Sequence, residues 1–380
     1  MDRARVVGEA LALMGRRHSA LTRRILIAIA GALSLGLLVA CGSHTAIEFA
    51  DANLEAAIRE TLGHPEGALR VRDLASIHEL TVRGQEIVLL DGIEACTGLV
   101  SLDLSENRIR DLSPLAALDQ LKTLRLSGNL IRDLAPLAGL TGLRRLDLDF
   151  NDIEEVGPLS GLVSLEWLGL YSSRIRDVSP LSDLVRLREL GLSGSPIEDF
   201  SPLANLVNLE WLGLPHTGLE DLSLLVGMER IQKLSLGGNR IADLEPLRHL
   251  RSLEGLGLDS NRITSIAPLT QLTNLRRLSL WNNQIEQIDA VSNLLQLEEL
   301  WLDANPIRDL EPVRALERLR ILSLSETAVG DLSPVLASEG LGEGDEIDLR
   351  GCSAIDPSDP ITGRAIEELE SRGVLVRLDP

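Results

Sequence analysis

The chain has 380 residues and a formal net charge of −20, from 57 Asp and Glu against 37 Lys and Arg. A balance this acidic argues against nucleic acid or an anionic lipid surface as the ligand, since both need a cationic face. It leaves two readings, solvation of the surface or attraction of a basic partner.

Residues 1–41 run against the average, with six Arg facing only Asp2 and Glu9. Arg16, Arg17, Arg23 and Arg24 precede an apolar run at 25–40 that closes on Leu38, Val39, Ala40 and Cys41. A basic region, an apolar core and small residues before the end make a secretory signal. The ending resembles the bacterial lipobox, which implies acylation of Cys41 and anchoring to a membrane by lipid. A transmembrane helix fits less well: the run is 16 residues, interrupted by Gly31, Ser34 and Gly36, and a span needs roughly 20. The first thirteen residues do not suit a signal, whereas Met14 followed by Gly15, Arg16 and Arg17 makes a normal start, so Met1 reads as a misassigned initiator. In Gram-negative lipoproteins an Asp after the Cys typically holds the protein at the inner membrane. Gly42 stands there, so the expected location is the cell envelope, and the outer membrane if the cell has one. Residues 42–46 form a tether of at most roughly 18 Å.

Residues 47–76 read as an N-terminal cap. Asp51 is placed to cap a helix over 52–62 that carries Leu54, Ile58 and Leu62 on one face, and Gly63 closes it. Asp73 is expected to cap a second short turn.

From Ile77 to Gly340 one 22-residue unit is written twelve times. Its first position runs Ile77, Leu99, Leu121 and onward to Leu319; the fourth is Leu from Leu80 to Leu322; the sixth is Val82 and then Leu to Leu324. A period in this range marks a solenoid whose units stack their apolar edges. Positions three to seven alternate with period two, so each unit contributes a short strand whose odd positions face outward. Asn107, Asn129, Asn151, Asn239, Asn261, Asn283 and Asn305 hold position nine, where the chain turns inward and a buried amide can serve the neighbouring coil. Ser173, Ser195, Thr217 and Thr327 interrupt that ladder. Position thirteen is acidic in most units (Asp111, Asp133, Asp177 and their equivalents), with Ser-Pro or a similar pair beyond it. Turn capping and solvation explain this column better than calcium, which needs six or more converging oxygens.

The unit L-x-x-L-x-L-x-x-N-x-I-x-D-L-x-P-L resembles a leucine-rich repeat, and its 22-residue length with the Asp-Leu-Ser-Pro-Leu tract resembles the internalin-like bacterial subfamily. The implied fold is an α/β repeat: a horseshoe solenoid with a parallel concave sheet, an irregular or 3₁₀ convex side, a helical N-cap and a helix-containing C-cap. The segment at 49–62 resembles the helical cap preceding internalin-type repeats. Residues 341–380 form the C-terminal cap, with the strand pattern resuming at Glu346 after a three-residue slip, a helix at 361–372 and a final strand at 374–378. Cys352 stands where the family usually has Asn.

All four Trp and the single Tyr fall at outward positions of the predicted strands: Trp167 and Trp211 at three, Trp301 at five, Tyr171 and Trp281 at seven. Phe150 falls at position eight, on the rim. Glu189 lies between Trp167 and Trp211, and His216 beside them. The position-five column between the two groups is small: Gly169, Gly191, Gly213, Ser235, Gly257 and Ser279. Exposed Trp and Tyr on a rigid scaffold are typical of binding hot spots, and a small-residue floor lets a ligand approach the backbone. The competing reading is that the rings fold over these glycines and merely cover the strands. The expected ligand-binding set is therefore Phe150, Trp167, Tyr171, Glu189, Trp211, His216, Trp281 and Trp301. It would hold a protein partner or, alternatively, a glycan such as peptidoglycan, while Arg145 and Arg277 with acidic neighbours suit a protein surface.

An enzyme is not expected. The six His (His18, His44, His64, His78, His216, His249) do not recur at repeat spacing, and only His216 falls near the concave face. Glu189 with His216 is a poor acid–base pair. There is no metal-ligand spacing of Cys or His and no phosphate loop, so neither metal nor cofactor is implied. Cys96 and Cys352 lie ten or more strand spacings apart, beyond disulfide reach, and read as buried thiols.

Overall fold

The computed structural model of the protein describes residues 46–379. The expected signal, Cys41 and nearly all of the tether lie outside these residues. Helix α1 (Ala52–Leu62) is capped by Asp51, whose Oδ1 accepts from the backbone N–H groups of Asn53 and Leu54, and Gly63 ends it at φ 66°. Leu54 and Ile58 are fully buried. The other oxygen of Asp51 accepts from Val88 at 2.8 Å and Leu89 at 3.4 Å. One carboxylate thus ties the helix to the loop of the first repeat. Helix α2 (Val71–Leu74) corrects an expectation: Arg70 holds its N-cap, without a side-chain cap bond, and Asp73 lies inside the helix. Leu69, before it, and Leu74, its last residue, are both buried.

The repeats form a single parallel sheet of fourteen strands in sequence order. Strands β1 (Glu79–Thr81) to β12 (Ile321–Ser323) recur every 22 residues, and β13 (Glu346–Asp348) and β14 (Leu375–Arg377) extend the sheet. Each strand has three residues, and in β1 to β13 its central aliphatic side chain is buried, as Leu102, Leu146 and Leu212 show. At about 1.5–3 kcal/mol per buried Leu, the stacked columns dominate the stability, and no single repeat holds a core of its own.

The polar ladder works as a second spine. Asn129 Oδ1 accepts from Ile109 N–H, while its Nδ2 donates to Leu104 and Leu126. Asn151 repeats the pattern with Ile131, Leu126 and Leu148. Where Ser replaces Asn the reach fails: Ser173 Oγ is buried without a hydrogen-bond partner, and Ser195 Oγ makes a long 3.4 Å contact to Ser173. Cys352 takes the Asn place near the C-terminal end, its Sγ donating to Leu324 O at 3.0 Å and lying 3.3 Å from Thr327 Oγ1.

On the convex side 3₁₀ turns such as Ser113–Ala117 and Ser201–Asn205 alternate with loops. The Ser before Pro does not cap them. Instead the preceding acid does, as in Asp111 Oδ1 to Ser113 N–H and Asp199 Oδ1 to Ser201 N–H, each 2.8 Å. In the last repeat the turn of the same length is α-helical, helix α3 (Ser333–Ala337). Helix α4 (Pro360–Ser371), capped by Asp359, lays Ile366 and Leu369 against the end of the core.

Candidate ligand-binding face

In every one of the twelve repeats the residue at position eight, just after the strand, has positive φ. Gly84, Gly128, Gly194 and Gly238 do this freely, whereas Phe150 (54°) and His216 (56°) hold the same conformation against their Cβ atoms. The left-handed turn sets these two large side chains on the strand-exit rim of the concave sheet. Nothing in the alternation of the strand foretells it; the recurring glycine is the only sequence signal.

Strands β4 (Arg145–Asp147), β5 (Trp167–Gly169), β6 (Glu189–Gly191) and β7 (Trp211–Gly213) carry the first aromatic group. The register places Arg145, Trp167, Glu189 and Trp211 side by side along the row. The Arg145 guanidinium stacks on Trp167, 4.0 Å from the ring centroid, and Arg145 Nε is buried with no acceptor. Phe150 and Tyr171 pack at 5.0 Å between centroids, tilted by 48°. Asp149 Oδ1 accepts from Tyr171 N–H at 2.7 Å and fixes the start of that turn. Arg145 with Trp167 at the strand start and Phe150 with Tyr171 at its exit thus form two pairs spanning the same two repeats. Phe150 is 57% exposed and Tyr171 41%.

The glycine floor under this group is not open. A Cβ on Gly169 would stand 2.5 Å from Cη2 of Trp167, and one on Gly213 would stand 2.8 Å from Cη2 of Trp211. The Trp211 ring also lies 3.3 Å from the Cβ place of Gly191. Both rings lie down on the floor and are half-buried, so the close backbone approach expected from the small residues is blocked there. Dispersion and apolar burial favour a ring on bare glycine backbone over a ring standing in water. Glu189 is exposed between the two rings, and His216 folds over Gly238 of the next repeat.

The second group is separate. Trp301 ends β11 (Glu299–Trp301), half-buried and in register with Ser279 of β10 (Arg277–Ser279), while Trp281, two residues beyond Ser279, is 42% exposed. Between the groups, β8 (Lys233–Ser235) and β9 (Gly255–Gly257) carry only small residues and Lys233 outward. Here no ring covers the outward glycines: only Lys233 Cγ, 3.7 Å away, meets a Cβ on Gly255 at position three, and one on Gly257 at position five meets only Asp259 and Ser235 at 3.7–3.8 Å.

Three carboxyls on this face are raised. Burial pushes the carboxyls of Asp147, Asp149 and Asp259 up, and the charge of Asp147 adds to the effect on Asp149. Asp149 and Asp259 were not singled out from sequence; both stand at position seven. Among the described residues no cluster of His, Cys, Asp or Glu is arranged to hold a metal ion.

The sequence matches two family models, described as leucine-rich repeat at residues 95–153 and leucine-rich repeats (2 copies) at 251–295. Neither description carries a catalytic activity. Among solved structures, an internalin (inlF) from Listeria monocytogenes is 31% identical, with a TM-score of 0.68 over 81% of this chain and 94% of that one. The chain belongs to the internalin family of leucine-rich repeat proteins. Two more distant structures share the fold of this internalin-like protein. One is a leucine-rich repeat protein of Leptospira interrogans, at 23% identity and TM-score 0.68 over 76% of this chain and 74% of that one. The other is the ectodomain of a plant receptor kinase from Arabidopsis thaliana, solved in complex with Casparian strip integrity factor 2. It is 19% identical, with TM-score 0.54 over 79% of this chain and 44% of that one. A search of curated protein sequences returned no significant match.

Proposed function

We propose that the protein is a non-catalytic, adhesin- or receptor-like module that binds another protein on its concave face, displayed at the cell envelope by a lipid on Cys41. One observation carries this reading. Aromatic residues are 2% of the chain, and yet two partly exposed pairs, Arg145 with Trp167 and Phe150 with Tyr171, fall on the same two adjacent repeats of the sheet. Trp, Tyr and Arg are the residue types that dominate protein interfaces. The pairs also lie on a rigid scaffold, so little ordering entropy is lost on binding. The arrangement has no nucleophile–base pair to support chemistry.

A second reading has its own observation. Trp167 and Trp211 lie on Gly169, Gly191 and Gly213, which is what strand cover without a ligand would produce. Affinity capture from envelope and host-type extracts separates the readings, with the wild-type chain run beside a Trp167→Ala/Trp211→Ala/Trp301→Ala variant of unchanged circular dichroism. A protein retained by wild type and lost from the variant supports the proposal. Loss of a cell-wall glycan instead assigns the face to sugar stacking, and identical profiles reduce the rings to cover.

A further inference from the structure

Resting on the reading of the concave face as the binding surface, we infer that Lys233 and Arg277 form a notch over Gly255 that receives an acidic side chain of a protein partner. Gly255 is paired in register with Lys233 on one side and with Arg277 on the other. The two cations therefore flank an empty outward position, about 9.6 Å apart at two strand spacings. Both are exposed, and neither makes an ion pair among the described residues. A carboxylate over Gly255 lies one strand spacing, about 4.8 Å, from each backbone. Both side chains are long enough to lean over it, Arg277 with a planar fork suited to a carboxylate.

The other outward cations each have an ion-pair partner, a stacked ring or two acids in register beside them. Arg83 pairs with Glu106 at 2.6 Å. Arg125 sits in register between Asp103 and Asp147, and Arg145 is stacked on Trp167. Glu299, beside Arg277 in the row, makes no ion pair with it. At the far end of the β9 turn Asp259 lies over Gly237 and near Gly257. The strip is therefore positive where its strands begin and negative where they end, and an incoming carboxylate is directed to the Gly255 end. Trp211 and Trp301 bound the strip about 19 Å apart, at four strand spacings, and offer apolar contact to the residues on either side of that acid. With a net charge of −20, bulk attraction of polyanions is not available, so recognition depends on the local pair.

The test is selection of random 12-residue peptides displayed on phage, against the wild-type chain, a Lys233→Gln/Arg277→Gln variant and a Trp167→Ala/Trp211→Ala variant. Wild type is expected to enrich peptides with an Asp or Glu beside apolar residues. One such synthetic peptide should lose at least tenfold in affinity when its acid becomes Gln, and lose as much on the Lys233→Gln/Arg277→Gln protein. Polygalacturonate serves as the carboxylated glycan arm. Its binding, lost in the same variant, would overturn the protein assignment. Peptides without acids, unchanged affinity on the Gln variant, or no enrichment at all would overturn the notch. If enrichment survives on the Gln variant and is lost on the Trp variant, the notch falls and the aromatic face stands; loss on neither removes both.

Discussion

Phe150 offers a test of the left-handed turn that places the aromatic rim. Its φ of 54° puts an L side chain where Gly128, one repeat before, and Gly194, two repeats after, sit at 68° and 75°. The left-handed conformation costs a non-glycine residue about 1–2 kcal/mol. Phe150→Gly removes that cost, adds about 0.4–1 kcal/mol of unfolded-state entropy and gives up about 0.5–1.5 kcal/mol of aromatic pairing with Tyr171. Those contributions nearly cancel, so the variant should unfold close to wild type. Phe150→Ala loses the same pairing and keeps the backbone cost. It is therefore expected to be less stable than Phe150→Gly by about 0.5–1 kcal/mol, the reverse of the usual order of Ala and Gly. Urea unfolding followed by circular dichroism measures this, with equal m-values required for the comparison. Since a solenoid can open in segments, amide hydrogen exchange at Leu148 and Asn151 gives a local reading. If Phe150→Ala proves as stable as Phe150→Gly, the turn is not strained and the reasoning about position eight fails. If the order holds, Phe150→Gly becomes a rim variant whose binding defects are not folding defects.

Other consequences are open to measurement. Gly213→Ala should lift the Trp211 ring, since the added methyl would lie 2.8 Å from Cη2; a red-shifted Trp emission with unchanged circular dichroism is expected, and unchanged emission would mean that the ring does not rest there. Ser173→Asn should restore the broken ladder by offering an acceptor to Ile153 N–H, as Asn151 does to Ile131, and raise stability by about 1 kcal/mol; a lower urea midpoint would show that the middle repeats have closed over the smaller side chain. Asp51→Ala should cost about 1–2 kcal/mol at neutral pH. Burial alone would raise the Asp51 carboxyl, but N–H donors from Val88, Leu54, Leu89 and Asn53 outweigh it and hold the group below its ordinary 3.8. Its contribution is therefore present above that value and lost as pH falls through the lower folded one, so the gap between wild type and variant should close in acid. Asp147→Asn has the opposite sign. Burial raises that carboxyl, so its ionisation opposes folding as pH rises, and the Asn variant should gain a few tenths of a kcal/mol at pH 7, a figure kept small by solvent screening, and nothing below the carboxylate range.

How much of this molecule the sequence discloses depends on which degree of freedom is asked about. The 22-residue period and strict alternation are enough for the sheet, because stacking forces Leu146 and its equivalents into one column and a one-residue slip would turn that column out into water. The Asn ladder is legible for a related reason: a buried turn must satisfy its backbone, and only an amide at that place reaches both neighbours. The left-handed eighth position was hidden because only four of the twelve repeats spell it with Gly, and Phe, His and Glu give no such hint.

The aromatic face divides the same way. Alternation fixes which face Trp167 and Trp211 are on, but not how their rings turn. That depends on what the neighbouring columns leave vacant, and Gly169, Gly191 and Gly213 leave room for a ring to lie flat. The expectation of an open glycine floor treated those columns separately, although the vacancy in one is filled by the side chain of another. Two strands further on the same rule gives the opposite result. Gly255 has no ring beside it, only Lys233 and Arg277; the Lys233 stem comes within 3.7 Å of its Cβ place, but a cation does not cover bare backbone as an indole does, since its charged head stays hydrated. The closed floor under the tryptophans and the uncovered one at Gly255 are thus one physical outcome applied to two kinds of neighbour. That difference, rather than the glycines themselves, decides where on this sheet a partner's side chain can reach the strands.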